Sequence, residues 1–285
     1  MDQASSILNW TVSLRLRLLS LAALMSVVAV ATLGPTVLTQ SQQATAATVL
    51  ITGSNRGLGY EFAKQYAAKG WKVIATARNP DAADELHALA QQYQNVIIEQ
   101  LDVTDRDMID ALAAKYDGQT IDVLLNNAAI LRGPSPDQTF GTIDFDWFDP
   151  YFRTNVMGPL KMAQAFFEHV KASDHKIIAV LTARAGSFAS ISRDRNFPGL
   201  YFYRGSKAAM NRFMAQLARD VEEEGVKIAL LEPGIVITDG SAEGRSFRGL
   251  VDAEDSIAGM INIIDNLTFE QSGTVLRWNG EELSF

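Results

Sequence analysis

The chain has 285 residues and no cysteine, which excludes disulfides, thiolate metal sites and cysteine nucleophiles and suits any redox compartment. Apolar residues make up 47% and charged residues 20%, the balance of an ordinary globular protein. A net charge of −8, with no basic cluster and no stacking array, argues against nucleic acid as a partner.

In chain order, Arg15 and Arg17 precede an apolar run, residues 18–34, interrupted only by Ser20, Ser26 and Thr32. A polar stretch follows and ends Ala44-Thr45-Ala46. A basic start, an apolar middle and a small-x-small site read as a secretory signal. The run is also at the lower length limit of a membrane span, which would make it an uncleaved anchor with the arginines in the cytoplasm. Residues 1–47 are therefore set aside as signal peptide or membrane anchor, with membrane association through 18–34, and 48–285 as the catalytic domain. Export or anchoring is expected; a cytoplasmic protein is the alternative if the segment is not used.

From residue 48 short apolar runs alternate with amphipathic stretches. Strands are predicted at 48–52, 72–76, 96–101, 121–126, 176–182, 227–231 and 274–278. Helices are predicted at 58–69, 81–93, 105–116, 145–172, 203–224 and 252–264. Strands apolar on both faces, alternating with helices, predict one α/β domain with a doubly wound parallel sheet of the Rossmann-like kind. In such a sheet ligands bind at the carboxyl ends of the strands, and each motif below falls there.

The first strand runs into Thr52-Gly53-Ser54-Asn55-Arg56-Gly57-Leu58-Gly59. Gly53 makes the turn, Gly57 lets the backbone approach a phosphate and Gly59 allows close helix–strand packing. A helix entered this way is an anion site. The second strand ends Ala77-Arg78, without the acidic residue that would hold a ribose diol. Arg78 and Arg56 favour a 2′-phosphate, hence NADP(H). Asp102 ends the third strand, as an acceptor for the adenine amino group or as a turn residue. Asn126-Asn127-Ala128-Ala129 ends the fourth and borders the cofactor.

Tyr203 and Lys207, four residues apart, share one helix face. A neighbouring cation is expected to bring the phenol nearer working pH, so that Tyr203 gives its proton to a carbonyl oxygen as hydride arrives. The aromatic residues Phe145, Trp147, Phe148, Tyr151 and Phe152 are expected to pack helices rather than touch substrate. His87, His169 and His175 lie far apart in polar contexts and read as surface residues, with no metal site expected.

On Thr52-Gly53-x-x-x-Gly57-x-Gly59, Leu101-Asp102-Val103, Asn126-Asn127-Ala-Ala, Asn155, Tyr203-x-x-x-Lys207 and Pro233-Gly234-x-x-x-Thr238, the chain resembles the short-chain dehydrogenase/reductase family over essentially all of residues 48–285. Leu181-Thr-Ala-Arg-Ala-Gly-Ser-Phe188 and Tyr203-Arg-Gly-Ser-Lys-Ala-Ala-Met-Asn211 are similar to its sniffer/C-factor carbonyl-reductase-like group. The resemblance implies reduction of a small carbonyl compound, or oxidation of an alcohol, with NADP(H). It implies that Lys207 also binds the nicotinamide ribose and that Asn155 holds a water in a proton relay to Lys207. Thr52, Gly53, Asn55, Arg56, Gly57, Leu58, Gly59, Arg78, Asp102, Val103, Asn127, Ala128, Tyr203 and Lys207 would line the cofactor. Pro233, Gly234, Val236 and Thr238 would border its nicotinamide end. It further implies a homo-oligomer, formed through the helices that begin at Phe145 and Tyr203.

One departure stands out. The family commonly places Ser-Ser-x-x-Gly at the end of the fifth strand, and the second serine usually binds the substrate oxygen. This chain has Thr182-Ala183-Arg184-Ala185-Gly186. Thr182 is the replacement hydroxyl and Ser187 a remoter one. An NADP-binding sensor with impaired catalysis is the alternative function.

Overall fold

In the computed structural model, residues 46–131, 139–191, 199–236 and 249–284 are described. Eight strands form one sheet: β1 (Thr48–Ile51), β2 (Lys72–Ala77), β3 (Val96–Gln100), β4 (Val123–Asn126), β5 (Ile177–Leu181), β6 (Lys227–Glu232), β9 (Val275–Arg277) and β10 (Glu282–Leu283). From one edge the order is β3-β2-β1-β4-β5-β6-β9-β10. All pairings are parallel except the last, where β10 runs antiparallel to β9. The order reverses between β1 and β4, the switch point at which doubly wound sheets bind ligands.

The helices are α1 (Gly57–Ala68), α2 (Asp84–Gln92), α3 (Arg106–Lys115), α4 (Phe148–Phe152), α5 (Gly158–Ala165), α6 (Phe167–Lys171), α7 (Phe188–Ile191), α8 (Tyr201–Asp220) and α9 (Ala253–Asp265). Side chains alternate along each strand, so each strand feeds two cores. Val49, Ile51, Val123, Leu125, Ala229 and Leu231 pack with α1, α2 and α9. Leu50, Leu124, Ile178, Val180, Ile228 and Leu230 pack with α3, α5 and α8. Burial on both faces is why these strands read as unbroken apolar runs.

All seven expected strands are present. Two short additions were not foreseen: β10, and a separate parallel pair of β7 (Ile235–Val236) with β8 (Leu250–Val251). The single helix expected over 145–172 is instead a chain of short turns. A 3₁₀ turn over Phe145–Trp147 leads into α4, then a π-turn over Arg153–Met157, then α5 and α6. The cause is local. Pro159 has no N–H for the carbonyl four residues back, and its ring crowds that carbonyl. The helix widens there, and Gly158 N–H bonds to Arg153 O, five residues back.

Candidate active site

Thr52 and Asn127 tie the ends of β1 and β4 together. Thr52 Oγ1 accepts from the backbone N–H of Asn127 and of Ala128, each at 3.0 Å. Asn127 Nδ2 in turn donates to the carbonyls of Thr52 and Gly53, both at 2.9 Å. Gly53 and Gly57 have φ of +68° and +58°, a region glycine enters without strain. At Gly59 a Cβ would stand 2.2 Å from Gly53 O, so α1 sits against the turn as only glycine allows. Arg56 is the residue before α1, whose first turn has no side-chain cap and no acid. Asn55, Arg56 and Arg78 are exposed and Leu58 is half-buried.

Asp102 Oδ1 accepts from Thr104 N–H at 2.9 Å and Thr104 Oγ1 at 2.7 Å, so one oxygen serves the turn after β3. The cap of α3 is Asp105. Val103 is buried, and its carbonyl lies 3.0 Å from where a Cβ on Gly158 would be. Pro233, Gly234 and Val236 leave the end of β6 half-buried, and Gly234 has φ +81°. Thr238 lies outside the described residues.

Tyr203 and Lys207 are both buried on the inner face of α8. The helix is entered through Gly199 and Leu200, both in left-handed conformation. Tyr203 clusters with Tyr151 and Phe202, and Ala183 and Ala185 are among the residues packed on that cluster. Phe202 meets the rings of Phe145 and Phe148 at 6.0 and 5.5 Å, so the aromatic group does pack helices, around the phenol itself. Lys207 Nζ donates to Leu181 O at 2.7 Å, and burial lowers its pKa to about 8.

The expected lowering of the phenol by Lys207 is not seen. Burial pushes Tyr203 well above its usual range, Glu232 and Tyr151 push the same way, and Arg204 opposes them. Desolvation disfavours the phenolate, and the ammonium is turned to the strand carbonyl.

Asn155 lies in the π-turn and is buried. Its Oδ1 accepts from Ile130 N–H at 2.8 Å, and its Nδ2 donates to Ile130 O and Ser206 Oγ at 2.9 and 3.0 Å. Ser206 Oγ donates to Tyr203 O at 2.9 Å. Asn155 thus joins the loop after β4 to α8, and its amide is engaged by protein groups. The Thr182 hydroxyl donates to Asn211 Oδ1 at 2.5 Å, and Ser187 Oγ donates to Ser284 O at 3.0 Å. A hydroxyl has one proton, so neither side chain can also donate to a substrate oxygen in this arrangement. Ala183, where the family commonly has serine, packs on the cluster that holds Tyr203.

Asn126, expected to border the cofactor, is buried with neither side-chain atom hydrogen-bonded among the described residues. One feature escaped the sequence reading. Glu232, at the end of β6, is a buried carboxylate paired in register with Arg277 of β9. Strand alternation could have found it: Glu232 follows Ile228 and Leu230 on the α8 side of the sheet.

Of the histidines, His87 is exposed, but His169 and His175 are half-buried, a correction to the surface reading. A His175 ring nitrogen lies 2.9 Å from Asp122 Oδ1, and one of His169 lies 3.1 Å from Ala113 O. Among the described residues no group of acids and histidines is placed to hold a metal ion. A groove of about 1040 Å³ is lined by Phe152, Val156, Leu160, Phe213 and Leu217 among others. Its lining includes neither the glycine turn nor Tyr203, so it is a separate feature of the outer helices.

The NADPH-bound carbonyl reductase from chicken fatty liver has the same fold, with a TM-score of 0.75 and 30% identity over 84% of this chain and 99% of that one. The carbonyl reductase Sniffer of D. melanogaster gives 0.73 and 25%, over 85% and 99% of the two chains. An oxidoreductase of Schizosaccharomyces pombe is 30% identical over 252 residues, 82% of this chain and 96% of its own length. The model of the family described as short chain dehydrogenase matches residues 47–248, from the start of β1 past the end of the Tyr203 helix, and the chain belongs to that family.

Proposed function

We propose that the protein is an NADP(H)-dependent carbonyl reductase, with Tyr203 as its proton donor. The observation that carries the reading is the burial of Tyr203 and Lys207 on one face of α8, against the end of β5, in a sheet whose switch point holds the glycine turn. The cradle fits a dinucleotide: glycines where a Cβ would clash, an uncapped helix start, and Arg56 and Arg78 with no acid closing β2. The arginines and the amides of α1 would hold phosphates, Asp102 and Val103 the adenine end, and Lys207 the nicotinamide ribose. When bound, NADPH supplies the hydride. Tyr203 gives its proton to the substrate oxygen, so carbonyl and hydride leave as alcohol. Burial keeps the phenol protonated, which suits the reductive direction. The chicken liver enzyme, bound to NADPH, supports the cofactor and the reaction class.

Ala183 and the engagement of Thr182 favour a second reading, a protein that binds NADP(H) and turns over slowly. One experiment separates them. NADPH absorbance is followed with a panel of aldehydes and ketones that includes 4-nitrobenzaldehyde. The reductase reading expects turnover that falls ~10²–10⁴-fold in Tyr203→Phe, with little change in NADPH affinity. Ala183→Ser, by restoring an oxyanion donor, is expected to raise kcat by about tenfold or more. Tight NADPH binding without turnover across the panel would leave the sensor.

We also infer that copies of the chain associate through the outer groove of α4, α5 and α8, where Leu160 and Phe213 are exposed apolar side chains.

A further inference from the structure

Thr182, Glu232 and Arg277 form a row across three neighbouring strand ends. Leu181 pairs with Leu231 and Thr182 N–H donates to Leu231 O at 2.8 Å, so Thr182 stands beside Glu232. Glu232 pairs in register with Arg277. By alternation the row lies on the α8 side of the sheet, where Thr182 is bonded to Asn211 of that helix. Lys207, one turn after Tyr203 on the helix, donates to Leu181 O at 2.7 Å, and Ala183, the residue after Thr182, packs on the cluster that holds Tyr203. Glu232 is therefore one strand away from the strand end on which this part of α8 rests.

This carboxylate is poorly matched by its partner. It is 6% exposed, yet the Arg277 Nε stands 3.5 Å from Oε2, and neither atom has a hydrogen-bond partner among the described residues. Burying such a pair costs more than an apolar pair of the same size, so packing alone does not account for it. Its field, little screened by water, acts on what lies beside it.

We propose that Glu232 is a positioning residue that keeps the reactive proton on the oxygen of Tyr203, acting from the neighbouring strand end and committing the site to reduction. This rests on the reductase reading above. The groups facing Glu232 are Arg277 and Glu281 from β9 and the turn after it, Arg184 from the 3₁₀ turn after β5, the N–H of Gly234, and Tyr203 from α8. Burial raises the pKa of Glu232 and Glu281 pushes the same way, while Arg277, Arg184 and the Gly234 N–H oppose them in favour of the ionised carboxylate. Lys207, also on α8, is turned to Leu181 O. Tyr203 in turn is faced by Tyr151 and Arg204.

The test is the pH dependence of 4-nitrobenzaldehyde reduction by NADPH, in the full chain. Activity falls in two steps at high pH, first as Lys207, held down by burial, loses its proton and then, at higher pH, as the phenol does; the second fall is the one read. In Glu232→Gln that fall is expected at lower pH, by on the order of one unit. Glu232→Asp, which keeps the charge, is expected to stay near wild type. A Glu232→Gln profile that coincides with wild type overturns the proposal. Should Glu232→Gln not fold, Arg277→Gln decides: it uncovers the carboxylate and is expected to move the fall upward, and a fall unmoved or moved downward overturns the proposal. Should no variant reduce the aldehyde, the reductase reading fails by itself. The ultraviolet tyrosinate absorbance lost in Tyr203→Phe then reads the phenol directly. It is expected at lower pH in the Glu232→Gln background, and equal titrations in both backgrounds overturn the proposal.

Discussion

Lys207 pays for its place in the site. Its pKa is about 8 in the folded chain against 10.5 for an ordinary lysine, because burial disfavours the ammonium. Between those two values the unfolded chain binds more protons than the folded one, so stability should rise with pH from about 8 to 10.5. At pH 7 the burial costs about 3 kcal/mol by this reckoning, at ~1.4 kcal/mol per unit. Lys207→Met is therefore expected to be more stable than wild type at pH 7, by about 1–3 kcal/mol, while losing activity. Urea unfolding of both proteins at pH 7 and near pH 10 checks it, and parallel pH curves would refute it. Tyr203 and Lys207 were legible in the sequence because four residues on a helix fix their common face. Glu232 was not. Its neighbours Thr182 and Arg277 lie fifty and forty-five positions away, and only strand register brings them together.

At the level of elements, the glycine turn and the interrupted helix are the informative pair. Gly59→Ala drives a Cβ into the Gly53 carbonyl at 2.2 Å and toward Asn127 Nδ2 at 2.4 Å. It should cost about 2 kcal/mol or more and weaken NADPH binding with it. Gly205→Ala on α8 is the contrast. Its Cβ would meet only Phe152 Cζ at 3.9 Å, so better helix propensity should stabilise the fold by up to about 1 kcal/mol. Thermal unfolding and NADPH titration of the two variants separate a packing glycine from a tolerated one. The first was read correctly because a turn between an apolar run and a helix leaves its pattern in consecutive residues. The segment 145–172 was misread because its amphipathic period persists through Pro150 and Gly158-Pro159, and periodicity says nothing about where the hydrogen-bond ladder shifts to i→i+5. Strands of two residues, such as β7, β8 and β10, carry too little pattern to be seen at all.

For the molecule as a whole, burial on both faces explains why the inner strands β1, β2, β4, β5 and β6 read as apolar runs, while the edge strand β3 was read from its Val96-Ile97-Ile98 run although Ile97 is exposed. Residues 1–47, expected to be a signal peptide or anchor, are another matter: all but the last two lie outside the described residues, and among those that are described no helix is long and apolar enough to cross a membrane. Association through the outer groove predicts a dimer or larger species by sizing chromatography. Phe213→Glu, at a half-exposed position of α8, should shift it toward monomer, and an unchanged elution volume would place the contact elsewhere.

The two rims of the sheet bear on how such copies can meet. One rim is β10, two residues long, starting with Glu282. The other is β3, where Glu99 is held by Lys115 at 2.7 Å and takes the Tyr116 hydroxyl at 2.7 Å. The two residues of β10 give an incoming strand little backbone to zip onto, whereas β3 is five residues long and exposes Ile97. Crowded or partly unfolded chains should therefore resist growing ribbon-like aggregates from the β10 border more than from the β3 border.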